Sequence, residues 1–472
     1  MDKPVSRAMW MSAAGGGQGL PLHYPYQIYS RIADVCFLTG QWQRAERIHR
    51  DGIEWARAAG EERILADLCN GLGSLLTQKG EYAEALRMLE EARGMFQKHG
   101  DQRALGDALG NIGLVQFNRG NLDEAIRLYR EKLDIAAAGG DRKGASYALG
   151  NIGLVHLQRG DLAEAGDCFR RCLEMSREIN DRRSAILALG NIGVIHWYRK
   201  EYEEAVGYFQ RSLQEARAIG NKQGVSYALG NIGLIYDGQG RYREALEQYR
   251  RCRTISAELG DVRSMMQSSF SAGDDHEALG EYGLAREDYL RYLAEAEALG
   301  DQRERCAAMG LVARTYGAEV RVAEAGVWYQ RAADCGIAAQ AWEKCCQLLL
   351  EWCDLCAGAG QPDRAREHLS RARELAQAHS LDDRCGLMID LLAALVEVPD
   401  RAAAAALSDL LPRAAADNEL ARIHFELCRL TGDTGHCREA TRLYRSLSAG
   451  APRAEYRARL DSLAAIGISA DD

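Results

Sequence analysis

Apolar residues recur at three- and four-residue steps through most of this chain, a spacing that lines one face of an α-helix. In "NLDEAIRLYREKLDIA" the stripe is Leu122, Ala125, Ile126, Tyr129, Leu133 and then Ile135 or Ala136. The positions between them are mostly polar or charged, as an exposed helix face requires. The same stripe returns in segment after segment, and the pattern predicts an all-α chain.

Set out in rows of forty residues, the sequence forms columns. Alanine occupies Ala45, Ala85, Ala125, Ala165, Ala205, Ala245, Ala285, Ala325 and Ala365. Five residues before these alanines a glycine recurs, from Gly40 and Gly80 to Gly280 and Gly360, with Lys200 and Val320 as departures. A second glycine column, including Gly60, Gly100, Gly140, Gly220, Gly260 and Gly300, lies half a period away, with Asn180 replacing one. Asparagine is the other residue that tolerates the left-handed conformation. Glycine at both ends of two similar segments predicts two helix C-termini per row. Asp101, Asp141, Asp181, Asn221, Asp261 and Asp301 follow the second column and predict N-caps, each carboxyl or amide oxygen accepting from a first-turn amide. Each row is then a helix of about seventeen residues, a short turn and a second helix of similar length. An aromatic column runs through Tyr129, Phe169, Phe209, Tyr249, Tyr289 and Tyr329. A small alanine facing a ring one turn later suits close antiparallel packing.

Leu109, Ile112, Gly113, Gly120, Ala125 and Tyr129 together resemble the tetratricopeptide repeat. The usual period of that repeat is about 34 residues, so the helices here are longer by roughly three residues each. The forty-residue form is similar to the repeats of Pins-type cell-polarity adaptors, kinesin light chains and bacterial tetratricopeptide regulators. The resemblance implies an all-α, right-handed superhelical solenoid of about eleven helix-turn-helix pairs, with a polar C-terminal capping helix over the open end. It divides the chain into a flexible leader at 1–22, a regular array at 23–340, degenerate repeats at 341–450, and a capping helix and tail at 451–472.

Composition narrows the function. With 47% apolar and 27% charged residues, the chain is globular. A formal net charge of −9 argues against a broad nucleic-acid footprint. No apolar run of about 18 residues and no signal-peptide pattern is present, which excludes membrane insertion and predicts a cytoplasmic protein. The 14 cysteines sit inside helical patterns and read as reduced, buried small hydrophobes.

The hexapeptide "ALGNIG" starts at Ala108, Ala148, Ala188 and Ala228. By the resemblance, the first helix of each pair lines a concave surface, carrying Gly110, Asn111, Gly150, Asn151, Gly190, Asn191, Gly230 and Asn231 on or near it. Helical spacing adds Leu114, Leu154, Val194 and Leu234, and one turn earlier Asp107, Tyr147, Leu187 and Tyr227. A glycine inside a helix costs about 1 kcal/mol relative to alanine, and the usual compensation is close approach of another backbone. Asparagine carries a donor and an acceptor, so a ladder of them can hold an extended peptide by its amides and carbonyls. The structural alternative stays open: the glycines permit tight contact with the preceding repeat's second helix, and the asparagines bridge repeats. Pins-type repeats carry a second asparagine in the Leu114 column, so the groove here is greasier. Repeats that clamp a peptide carboxylate use lysines in this stripe, and Gly110 and its copies stand in that place, which argues against such a clamp. Arg103, Lys143, Arg183, Arg263 and Arg303 begin the first helices. They either steer an acidic partner or sit beside the capping residue two positions earlier.

Catalytic motifs are missing. There is no phosphate-binding "GxxxxGK[ST]", no "HExxH" and no "GxSxG", and "GGGQG" near Gly15 lacks a flanking strand and helix. Cys345, Cys346, Cys353 and Cys356 are spread along one helix, too far apart to surround a zinc ion. His156, His196 and His276 share the column of Tyr236 and read as interior rings. The sequence therefore predicts no catalytic residue, no metal site and no cofactor. The expected function is a scaffold or sensor that binds an extended peptide or a partner's helix in the concave groove. Alternatives are a bacterial peptide-responsive switch and a self-assembling structural subunit.

Overall fold

The computed structural model describes residues 42–466; the leader at 1–22, the "GGGQG" stretch and the last six residues of the tail lie outside them. The described residues form 22 α-helices and one short 3-10 turn, with no strand among them. Helix α1 spans Trp42–Ala59 and occupies the second-helix column of its row. The pairs that follow are α2 (Glu62–Lys79) with α3 (Tyr82–His99), α4 (Gln102–Asn118) with α5 (Leu122–Ala138), and α6 (Arg142–Arg159) with α7 (Leu162–Glu178). Next come α8 (Arg182–Tyr198) with α9 (Tyr202–Ala218), α10 (Lys222–Gly238) with α11 (Tyr242–Leu259), and α12 (Val262–Ala278) with α13 (Tyr282–Leu299). The later elements are α14 (Gln302–Ala318), α15 (Val322–Ala338), α16 (Trp342–Gly358), α17 (Pro362–His379), α18 (Asp382–Val396), α19 (Asp400–Leu410), α20 (Asp417–Thr431), α21 (Thr434–Gly450) and α22 (Ala454–Ala465). Contacts divide the chain into two compact units, 1–215 and 216–472, with the division inside α9.

The glycine columns are helix C-caps. At the end of α2, the Gly80 amide donates to the Thr77 carbonyl at 3.1 Å and the Glu81 amide to that of Leu76 at 3.0 Å. This pairing closes the last turn and needs a left-handed residue, and Gly80 has φ +81°. The conformation persists where glycine is absent: Asn180, Lys200, Val320, Gln340 and Ser380 all have φ between 54° and 60°. At the following helix starts, Asp101 accepts from the Ala104 amide, Asp141 from Gly144, Asp181 from Ser184 and Asp261 from Ser264, as the sequence predicts.

Every alanine from Ala45 to Ala365 in the column is fully buried. The aromatic column is buried too, but its partner differs from the expected alanine. Five of the six rings, from Tyr129 to Tyr289, lie on a glycine of the first helix in their own pair, while the pair of Tyr329 carries Ala313 at that position. A Cβ built on Gly113 would sit 2.7 Å from the Tyr129 ring, and one on Gly153 would sit 2.6 Å from Phe169. In the second unit the same holds for Gly233 beneath Tyr249 and Gly273 beneath Tyr289, each at 2.5 Å. The second glycine of "ALGNIG" therefore makes room for a ring.

Two further departures concern the cysteines and the C-terminus. Disulfides join Cys306 to Cys335, linking α14 and α15, and Cys428 to Cys437, linking α20 and α21. The wholly reduced reading therefore fails for these four, while eight of the remaining described cysteines are buried free thiols. Helix α22 covers the last pair through Tyr456, Leu460 and Leu463 packed with Phe425 and Tyr444. It also touches α12, and the start of this segment packs on two turns, Pro452 against Gly240 and Ala454 against Gly280.

Val320 is a β-branched residue held at φ 60° with its side chain largely in solvent. Val320→Gly removes a left-handed penalty of about 1–2 kcal/mol against a smaller unfolded-state entropy cost. The expected net gain is about 1 kcal/mol, read as a higher urea midpoint with an unchanged slope.

Candidate functional site

In the first unit the first helices touch their neighbours, α2 with α4, α4 with α6 and α6 with α8, so their columns lie side by side. The side left open carries the Asp107, Asn111 and Leu114 columns. Asp107, Tyr147 and Leu187 are exposed, Leu187 by 60%. Asn111, Asn151 and Asn191 are half-buried, as are Leu114, Leu154 and Val194. The Asn111 amide donates to the Asn70 side-chain oxygen at 3.0 Å and bridges α4 to α2. Among the described residues, the side chains of Asn151 and Asn191 make no hydrogen bond. The Tyr147 hydroxyl donates to Asp181 at 3.3 Å, and the Lys143 ammonium lies 5.7 Å from the Tyr147 ring.

The first glycines of the hexapeptides turn toward the paired second helix. Gly110 and Gly190 are buried, and Gly150 is half-buried. A Cβ on Gly110 would meet the Lys132 ammonium at 2.9 Å, whereas one on Gly150 would sit at an ordinary 3.6 Å from the Cys172 sulfur. Lys132 reaches back along this cleft to Asp107 at 3.1 Å.

In the second unit, Asn231 donates to the backbone carbonyl of Tyr227 at 2.8 Å, one turn back on α10. Tyr227 and Leu234 are exposed, and Gly230 is half-buried with the Cys252 sulfur 3.6 Å from its Cβ position. The open-face columns then change chemistry. The Leu234 column continues as Asp274, Arg314 and Asp354, and the Asn231 column as Ser271, Leu311 and Glu351. Arg314 donates to Glu277 at 2.8 Å, the Tyr289 hydroxyl lies 2.7 Å from Asp274, and Arg422 donates to Asp354 at 2.6 Å. Burial pushes the carboxyls of Asp274 and Glu351 above their usual range. A cavity of about 410 Å³ and another of about 540 Å³ lie in this unit, the larger one lined by Asp274, Arg314, Lys344 and Arg453 among others. The sequence reading stopped at Leu234; following its column one further row finds Asp274.

Asp275 stands in the column of Val155, Ile195 and Ile235 and is fully buried, with neither carboxyl oxygen hydrogen-bonded among the described residues. Burial, reinforced by the neighbouring Asp237, pushes its carboxyl up to about 9.

The other candidate groups have local roles. Arg63 lies 3.3 Å from Asp101 and Arg103 lies 3.9 Å from Asp141, so these cations reach the capping residue of the next repeat and not their own. His156, His196 and His276 pair through Nδ1 with Asp161, Glu201 and Glu281 across the turn that follows. No group of three or more His, Cys, Asp or Glu among the described residues is arranged to hold a metal ion. No described helix is long and apolar enough to cross a membrane.

A tetratricopeptide-repeat profile matches residues 25–98, 105–178 and 184–258. These segments are tetratricopeptide repeats. The rows beyond them keep the same helix pairing and left-handed caps through Ser380. The fold is shared with a signal transduction ATPase (STAND) protein with a tetratricopeptide repeat sensor from Pyrococcus horikoshii. That protein is 15% identical, with a TM-score of 0.55 over 77% of this chain and 55% of its own. The chain thus spans about half of that protein. Also similar are aspartyl phosphate phosphatase F from Bacillus subtilis (15% identity, TM-score 0.45, 77% of this chain and 97% of that one) and BtubC from P. vanneervenii (18%, 0.41, 46% and 92%). No curated protein matches in sequence. Tetratricopeptide arrays present extended surfaces for protein partners.

The two glycine columns are expected to respond oppositely to alanine. Gly150→Ala gains helix propensity of up to about 1 kcal/mol in free space, while Gly153→Ala drives the Phe169 ring aside and costs about 1–3 kcal/mol. Chemical denaturation of the two variants reads both signs. For Asp275, the folded-state value stands above the unfolded one, so the native state keeps a proton that the unfolded chain has lost between about pH 4 and pH 9. Stability therefore falls as pH rises through that window. Asp275→Asn is expected to flatten the fall, measured as denaturation midpoints at about pH 5 and about pH 8.

Proposed function

We propose that this chain is a protein-interaction scaffold or sensor that holds an extended peptide or a partner's helix along the open face of its first helices. The observation that carries this reading is the state of Asn151 and Asn191. Both lie half-buried on the open face, and neither makes a hydrogen bond among the described residues. Each offers a donor and an acceptor to a peptide backbone. Tyr147 and Leu187 beside them are exposed, and Leu154 and Val194 are half-buried, giving apolar contact for a ligand's side chains. Asn231, with Tyr227 and Leu234, presents similar groups on α10, although its amide already serves the Tyr227 carbonyl. Of the glycines in the same hexapeptides, Gly110 leaves room for the Lys132 side chain, while Gly150 and Gly230 stand at ordinary contact distance from Cys172 and Cys252.

The reading predicts a separation of binding from stability. Asn151→Ala/Asn191→Ala should release a captured partner while leaving the melting transition in place. Asn111→Ala, which breaks the bridge to Asn70, should cost about 1 kcal/mol of stability. Side-by-side affinity capture and thermal melts check both. A partner held equally by the double variant would move the docking surface off this face.

A further inference from the structure

Three columns that are apolar in the preceding repeats lose their bulk or their apolar character together where α11, α12 and α13 meet. The column of Leu149, Leu189 and Leu229 becomes Ser269, that of Ile192 and Ile232 becomes Ala272, and that of Leu173 and Leu213 becomes Arg253. In a repeat array the contact between neighbours carries much of the stability, so a polar and hollow contact at one of them calls for a return elsewhere. The space left is a cavity of about 410 Å³, within the range of small-molecule sites.

Four arginines line its walls, Arg243, Arg250, Arg253 and Arg291, together with two carboxylates, Glu247 and Asp288, and His276. Arg243 is paired with Glu281 at 3.0 Å. Arg253 lies 3.1 Å from the Ser269 hydroxyl through Nε and 3.1 Å from Glu295 through Nη2, which leaves Nη1 with no partner among the described residues. Among the described residues Arg250 is paired with Glu247 on its own exposed surface, and Arg291 with Glu287 and Asp288 on its own helix. Guanidinium forks on two facing helices suit a tetrahedral anion, whose several oxygens accept more of their donors than one carboxylate can.

We propose that this cavity binds a small phosphoryl-bearing anion, gripped by Arg253 and Arg250 from α11 and Arg291 from α13, with the hydroxyl of Ser269 as a further donor. The site is separate from the open face of the first helices and does not depend on the peptide-binding reading.

Calorimetric titration of the full chain tests the proposal, with pyrophosphate and a nucleoside monophosphate as probes and citrate as a carboxylate control. One saturable site for a phosphoryl probe is expected. Arg250→Gln/Arg291→Gln changes only residues at the cavity's rim and should weaken binding at least about tenfold. Arg253→Leu/Ser269→Leu/Ala272→Ile restores the apolar columns and should abolish binding while raising the melting temperature. If that filled variant misfolds, the rim variant still decides. No binding of either phosphoryl probe, citrate binding as well as pyrophosphate, or binding unchanged in the rim variant would each overturn the assignment.

Discussion

An aromatic ring packed against a glycine backbone sets the spacing of the helix pairs through the middle of this chain. Tyr129 on Gly113, Phe169 on Gly153, Tyr249 on Gly233 and Tyr289 on Gly273 leave no room for a single added carbon. Each glycine costs its helix about 1 kcal/mol, and full burial of a large ring contributes up to about 3 kcal/mol in return, so the exchange favours the pair. The fully buried alanines on the same second helices keep the backbones close enough for the ring to reach.

Once each first helix has one side on its partner and others on neighbouring repeats, the columns headed by Asp107, Asn111 and Leu114 remain available. Their character then depends on residues that the packing leaves free to vary. It is apolar and amide-rich around Asn151 and Asn191, and charged where Asp274, Arg314 and Asp354 occupy the same places. The same separation explains the turns. Packing at both ends of a turn holds residues 200 and 320 left-handed even though they are lysine and valine.

Helix α12 is where the packing rule is relaxed most. Serine, alanine and a buried, protonated aspartic acid replace aliphatic residues, and arginines from the flanking second helices enter the gap. A polar contact of this kind weakens the array locally while creating donors that an apolar contact lacks.

Period and punctuation were legible in the sequence because they report local physics. Three- and four-residue steps, left-handed glycines and capping aspartates act within a turn or two of helix; Gly40 lies outside the described residues, and within them the predicted glycines are left-handed and the predicted aspartates cap. The open-face stripe was legible as a set of columns for the same reason. What only the tertiary structure decided are questions of which neighbour a side chain meets. The ring chose Gly113 over the alanine column, Asn111 found Asn70 while Asn151 found no hydrogen-bond partner among the described residues, Arg103 reached the next repeat's cap, and four cysteines paired. Those outcomes depend on distances between helices far apart in the chain, and a residue's own column carries no record of them.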